Sequence, residues 1–158
     1  MTNHILFTGS REWDDPKYLK VINDIIASYI KPDVIFHVGD ALGVDRWVSN
    51  AAMKYDIPLH VYGANKIREA GYYQSTAGHP IQFHITHPGF HKGMYIVRDR
   101  WIVEQVAKLG DCICVAIWNG SSKGCKFTAD YARDYMPVHM YEPHKIYDDY
   151  DYQYYEGE

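Results

Sequence analysis

His4-Ile-Leu-Phe-Thr-Gly-Ser-Arg11 is the stretch whose reading decides the fold. A short apolar run, Ile5 to Phe7, stops at Gly9, and small and cationic groups follow at Ser10 and Arg11. Directly after come Asp14, Asp15 and Pro16 and a long amphipathic segment. A buried strand, a tight turn and a helix N-terminus account for this order. In an open parallel sheet such turns lie at the carboxyl ends of the strands, where ligands bind.

Two further turns of this kind occur downstream, Gly39-Asp-Ala-Leu-Gly43 and Asn119-Gly-Ser-Ser-Lys-Gly124. Glycine lets backbone N–H groups approach an anion closely, and a helix N-terminus adds about half a positive charge. The three turns are therefore expected to meet around one anionic ligand.

The segments between them read as alternating strands and helices. Tyr18, Val21, Ile22, Ile25, Ile26 and Tyr29 form a one-sided helical stripe, which predicts a helix over 15–30 capped by Asp14 or Asp15, with Pro16 in its first turn. Strands are expected at 33–38, 58–62, 111–118 and 137–141, and helices at 44–55, 94–109 and 126–135. Trp47, Val48, Ala51 and Ala52 mark the inner side of the second helix, and Ile102, Val103, Val106 and Leu109 that of the third. The segment 63–93 lacks helical periodicity; Ile81, Phe83 and Ile85 alternate with polar residues, and the long connection is a candidate lid.

Composition bounds the class. A chain of 158 residues with 47% apolar and 23% charged residues suits one globular domain. No apolar run reaches the roughly 18 residues that span a bilayer, and the start at Met-Thr-Asn-His passes straight into a strand, so a cytoplasmic location without membrane partners is expected. Cys112, Cys114 and Cys125 are read as reduced, with the first two on opposite strand faces. The net charge is −4, but the tail from Tyr147 carries five acids, leaving 16 bases against 15 acids in the body. That balance gives no general basic field and argues against duplex nucleic acid.

Several groups could carry chemistry. Ser10, Ser121 and Ser122 offer hydroxyl donors, and Arg11 a bidentate phosphate contact. Asp40 and Asp45 lie at strand-to-helix depth, where carboxylates bind ribose hydroxyls or act at an anomeric carbon. The alternative is that Asp40 caps a turn and Asp45 complements the positive end of the second helix. Arg98 and Asp99 open the third helix after the candidate lid. His79, His84, His87 and His91 are dense, but Pro88 and Gly89 break any helical ligand spacing, so no metal is expected.

Gly9-Ser10-Arg11, Gly39-Asp-Ala-Leu-Gly-Val-Asp45, Arg98-Asp99 and Ser122-Lys-Gly124, in this order, resemble the YspA/YpsA-related branch of the SLOG superfamily. These Rossmann-like domains are related to the Lonely Guy phosphoribohydrolases, and similar proteins occur in bacteria and their phages. The resemblance covers 5–141, apart from the lid.

It implies a three-layer α/β/α domain over 1–143 with a mainly parallel five-stranded sheet in the order 3-2-1-4-5, followed by an acidic, tyrosine-rich tail at 144–158. It also implies a nucleotide pocket built from Gly9, Ser10, Arg11, Gly39, Asp40, Gly43, Asp45, Arg98, Asp99, Gly120, Ser121, Ser122 and Gly124. Two positions depart from the branch: Asp99 replaces its asparagine and Cys125 its threonine. The catalytic glutamate of the phosphoribohydrolases falls at Thr128, so catalysis would need another carboxylate, Asp40, Asp45 or Glu12.

The reading is therefore a domain that binds a nucleotide-like small molecule, as a sensor or sequestering protein, without a separate cofactor and with a homodimer allowed. The alternatives are an N-glycoside hydrolase or deoxyribosyltransferase acting on a nucleoside monophosphate, and a protein-interaction module that docks through its tail.

Overall fold

The computed structural model describes residues 3–13, 15–75 and 78–146. Its centre is a six-stranded, wholly parallel sheet of β1 (Asn3–Gly9), β2 (Val34–Gly39), β3 (Leu59–Gly63), β4 (Gln82–Ile85), β5 (Cys112–Ile117) and β6 (Val138–Tyr141). The order is β4-β3-β2-β1-β5-β6. The expected five strands appear in the expected order, and the sixth, β4, extends the β3 edge from within the segment read as a lid. Its alternating pattern was readable, but its parallel pairing with β3 depends on the connection that brings it round.

Helices α1 (Tyr18–Ala27), α2 (Val44–Lys54), α3 (Met94–Ala107) and α4 (Lys123–Ala132) cover the sheet. On one face Ile5, Phe7, Phe36 and Val38 pack against Val21, Ile22 and Ile26 of α1 and Val44 and Val48 of α2. Ile22 and Ile26 are fully buried, each worth about 1.5–3 kcal/mol of transfer free energy. On the other face Leu6, Tyr62 and Cys114 pack against Ile102, Val103 and Val106 of α3 and Ala132 of α4. Cys112 joins the same face as Cys114. Residues two apart on a strand share a face, which corrects the expectation of opposite ones.

Two helix starts also differ from the sequence reading. The first helix begins at Tyr18, not Asp15: Asp15 Oδ1 accepts the Lys17 N–H at 2.9 Å, and the Asp15 and Pro16 carbonyls accept from Tyr18 and Leu19 in a preceding turn. α4 begins three residues earlier than expected, with Ser122 capping the Cys125 N–H. Leu109 lies beyond the end of α3 and is 48% exposed. Residues 143–146 form a helical turn with Ile146 packed against the core, and the acidic part of the tail from Tyr147 lies outside the described residues. No helix among the described residues is long and apolar enough to cross a membrane.

The α3 face of the sheet carries an unexpected polar row. His4 Nδ1 lies 2.9 Å from His37 Nε2, and His37 Nδ1 lies 2.9 Å from the Tyr62 hydroxyl. One strand further out, His60 Nδ1 lies 2.8 Å from His84 Nε2, with the two rings stacked. His37 and His60 are register partners and link the two pairs. Burial pushes all four imidazoles below the ordinary value, His37 far below and His60 to about 4. Neighbouring rings add to the shift at His37 and His60. Each pair is thus one N–H···N hydrogen bond between neutral rings. Of the four histidines expected in the lid, His84 joins this row, while His79, His87 and His91 are exposed.

Candidate site at the junction of β1 and β5

Strand order reverses direction between β1 and β5: β2, β3 and β4 lie on one side and β6 on the other. At the carboxyl ends of these two strands opens a cavity of about 200 Å³. Gly9, the last residue of β1, and Arg11 just beyond it lie on its wall, Gly39 and Asp45 come from the second turn, and Ser122 and Gly124 from the third. Arg98 and Asp99 reach it from α3. The structure thus brings together eight of the residues expected to form one site.

Close backbone contact fixes the turns to one another. A Cβ at Gly9 would lie 2.3 Å from Val44 Cβ, so the absence of a side chain lets α2 start against the first turn. Gly43 adopts φ +76°, and a Cβ there would meet the Ser10 and Arg11 carbonyl oxygens at 2.5 and 2.6 Å. That left-handed conformation is one L side chains rarely adopt.

Ser10 is fully buried and joins the first turn to the third: its Oγ accepts the Asn119 N–H at 3.0 Å. Asn119 in turn donates Nδ2 to the Glu12 carbonyl and accepts the Ser121 and Ser122 N–H groups on Oδ1. Ser10, Gly43, Gly120 and Ser121 therefore build the walls and do not line the cavity. Glu12 is exposed and also stands outside it.

Beneath the cavity sits a buried ionic cluster. The Asp40 carboxylate is wholly buried and accepts Arg98 Nη1 at 2.7 Å on Oδ1. Arg68 adds Nη2 at 2.7 Å and Nε at 3.1 Å on the same oxygen, and its backbone N–H at 2.7 Å on Oδ2. Asp40 is thus occupied on both oxygens by two arginines, a positioning role. Arg98 also donates Nη1 to the Tyr62 carbonyl and Nε to Asp99 Oδ1 at 2.8 Å. A Cβ at Gly39 would lie within 2.9 Å of both Asp45 Oδ2 and the Arg98 guanidinium, so this glycine makes room for the cluster.

The charges divide unequally. Burial opposes the Arg98 charge, but Asp99, Asp45 and Asp40 outweigh it and hold its pKa above the ordinary value. Burial raises Asp99 against the pull of Arg98. Asp45, in the first turn of α2, keeps one hydrogen bond, from the Ala41 N–H at 3.3 Å. Burial lifts its carboxyl to about 7, with Asp99 and Asp40 adding to the rise and Arg98 opposing it. Near neutrality Asp45 is therefore divided between acid and carboxylate, the state a proton-transferring group needs. The Thr128 hydroxyl lies 3.0 Å from the Gly124 carbonyl and 3.3 Å from Asp99 Oδ2.

Arg11 is exposed at the cavity mouth and has no ion-pair partner among the described residues. Gly124 is the second residue of α4, whose first-turn N–H groups have no partner inside the helix. Arg68 and Tyr95 were not singled out from the sequence. Arg68 stacks over the Tyr95 ring at 4.2 Å. Tyr95 stands three residues before Arg98, a spacing that puts both on one helix face; nothing local marked Arg68.

Neither the family models nor the curated proteins give a match to this chain. Among solved structures it is similar to DNA processing protein A of Helicobacter pylori, described for its single-stranded DNA binding mode. The TM-score is 0.61 at 17% identity, over 87% of this chain and 64% of that one. This chain thus spans less than two thirds of the length of that protein. The likeness shows the fold, a Rossmann-like α/β domain.

It also corrects the partner expectation, which named a small molecule, excluded duplex nucleic acid and left single strands out of account. A protein of the same fold binds single-stranded DNA. Net charge tests only for a broad basic field, whereas single strands are held by local cations and stacking platforms, which a body near neutrality can carry.

Proposed function

We infer that the cavity between β1 and β5 holds the phosphate and sugar of a nucleotide, either free or as an unpaired unit of a single strand. The observation that carries this reading is the pairing of Arg11, which has no ion-pair partner among the described residues, with the first turn of α4 on one cavity. Every other arginine of the site is already bound to a carboxylate. An exposed guanidinium and the Gly124 N–H, which Ser122 leaves open while it caps Cys125, suit a phosphate. At about 200 Å³ the cavity is smaller than the 300–1,000 Å³ common for whole ligands, so a base would lie outside it. The motif resemblance to SLOG proteins supports the same ligand class.

A thermal-shift panel of nucleoside mono- and diphosphates and short oligonucleotides tests this. A ligand at a hundredfold excess over its dissociation constant adds about 2.7 kcal/mol, or roughly 5–10 °C for a domain of this size. No shift with any nucleotide removes the reading.

Asp45 supports a second reading, cleavage of an N-glycosidic bond, because a carboxyl lifted to about 7 on the cavity wall can exchange protons at neutral pH. Free base released by the wild type and abolished in Asp45→Asn would establish it. Base release that persists in the variant would exclude Asp45 from the reaction.

A further inference from the structure

Beside the inner cavity lies a second one of about 340 Å³, and the two share Arg11 and Arg68. Leu42, 55% exposed, and Lys66 line the outer cavity. Its acidic groups are already paired: Asp40 with Arg68 and Arg98, and Glu69 with Arg46. Lys66, like Arg11, has no ion-pair partner among the described residues. The outer cavity is therefore cationic where it is open.

The loop bearing Lys66 is held in place from both ends. Asn65 and Glu69 both have left-handed backbones, φ +64° and +49°, and bracket Lys66 to Arg68. A Cβ at Gly63 would meet the Lys66 carbonyl oxygen at 2.2 Å, so β3 ends hard against this loop. The Arg68 N–H is tied to buried Asp40. Asn65 then clamps a second loop: its Nδ2 donates to the Gly89 carbonyl and its Oδ1 accepts the Gly89 N–H, each at 3.0 Å. The next residue, Phe90, is 82% exposed, more than any other large apolar side chain among the described residues. Lys66 and Phe90 thus follow directly on the two residues of one amide clamp.

An exposed aromatic ring and unpaired cations, carried here on two loops joined by one amide clamp, are the elements that hold unpaired bases, through stacking and phosphate attraction. We propose that the outer cavity binds a second nucleotide unit, with its phosphate between Arg11 and Lys66 and its base on Phe90. The ligand class is then a dinucleotide or longer single strand, not a mononucleotide. This rests on the nucleotide reading of the inner cavity and extends it.

Titration of the full chain with thymidine 5′-monophosphate, a 5′-phosphorylated thymidine dinucleotide and a short oligothymidylate separates the two claims. The dinucleotide is expected to bind about tenfold more tightly than the monophosphate. Phe90→Ala and Lys66→Gln alter exposed side chains and are expected to leave monophosphate affinity unchanged. Loss of the dinucleotide gain in either variant supports the second subsite. Equal affinity for mono- and dinucleotide in the wild type, or a gain that survives both substitutions, overturns it and leaves the inner-cavity reading standing. Absence of binding by all three probes overturns both.

Discussion

Two groups of buried and half-buried ionisable side chains lie along the same sheet and are stabilised in opposite ways. Under the cavity, Asp40, Asp45 and Asp99 surround Arg98, and opposite charge offsets the cost of burial. Along the α3 face, His4, His37, His60 and His84 stay uncharged and hydrogen-bond as neutral rings. A charged cluster keeps a field that a ligand can feel, whereas a neutral row only holds strands together. The first borders the candidate cavity, and the second links β1, β2, β3 and β4 edge to edge.

The charged cluster is where the largest effects are expected. Asp40→Ala leaves buried Arg98 hydrogen-bonded only to Asp99 and the Tyr62 carbonyl, with the Asp45 carboxyl nearby, and removes the carboxylate that holds Arg68. Breaking a buried pair costs about 3–5 kcal/mol, and the retained Asp99 contact puts this loss near the lower figure. A denaturant midpoint unchanged from wild type would show that Asp40 does not organise the arginines. Gly39→Ala forces a methyl against Asp45 and Arg98 and is expected to cost about 1–3 kcal/mol; a neutral result would mean that the cluster can shift without penalty.

The two groups also titrate against each other. The histidines have lowered folded values, so the stability they contribute is present above 6.5 and is lost as pH falls from there through about 4, the value at His60. Asp45 is raised from 3.8 to about 7, so its contribution is present below 3.8 and is lost as pH rises through 7. Denaturation curves at pH 4.5 and 7.5 should separate them. His60→Gln should recover stability relative to wild type at pH 4.5 more than at 7.5, and Asp45→Asn should do the reverse. The same pH slope in all three proteins would contradict the assignment.

The sequence made some of this legible and hid the rest, for physical reasons. Apolar runs and period-3.6 patterns gave five of the six strands and the inward residues Val21, Ile22, Val48, Ile102 and Val106, because burial writes them locally, while the strand order came with the family resemblance. Gly9, Gly39 and Gly43 announced turns, and close contact explains all three. Arg68 was hidden because its partner Asp40 is 28 residues away and only the fold joins them. The histidine row was hidden for the same reason, with one ring on each of four strands. Asn119 carried a readable signal, since an Asn side chain commonly caps the N–H two residues on. It was counted as part of the turn when it is the group that holds the turn closed.

The central claim is that Arg11 and the α4 turn receive a nucleotide phosphate. Calorimetric titration of wild type and Arg11→Ala with a nucleoside monophosphate tests it most directly, since Arg11 is exposed and its removal leaves the core untouched. The prediction is a single site in the wild type, weakened by added salt and at least about tenfold weaker in the variant, in line with loss of a charge-assisted contact. Equal affinity in the two proteins would contradict it.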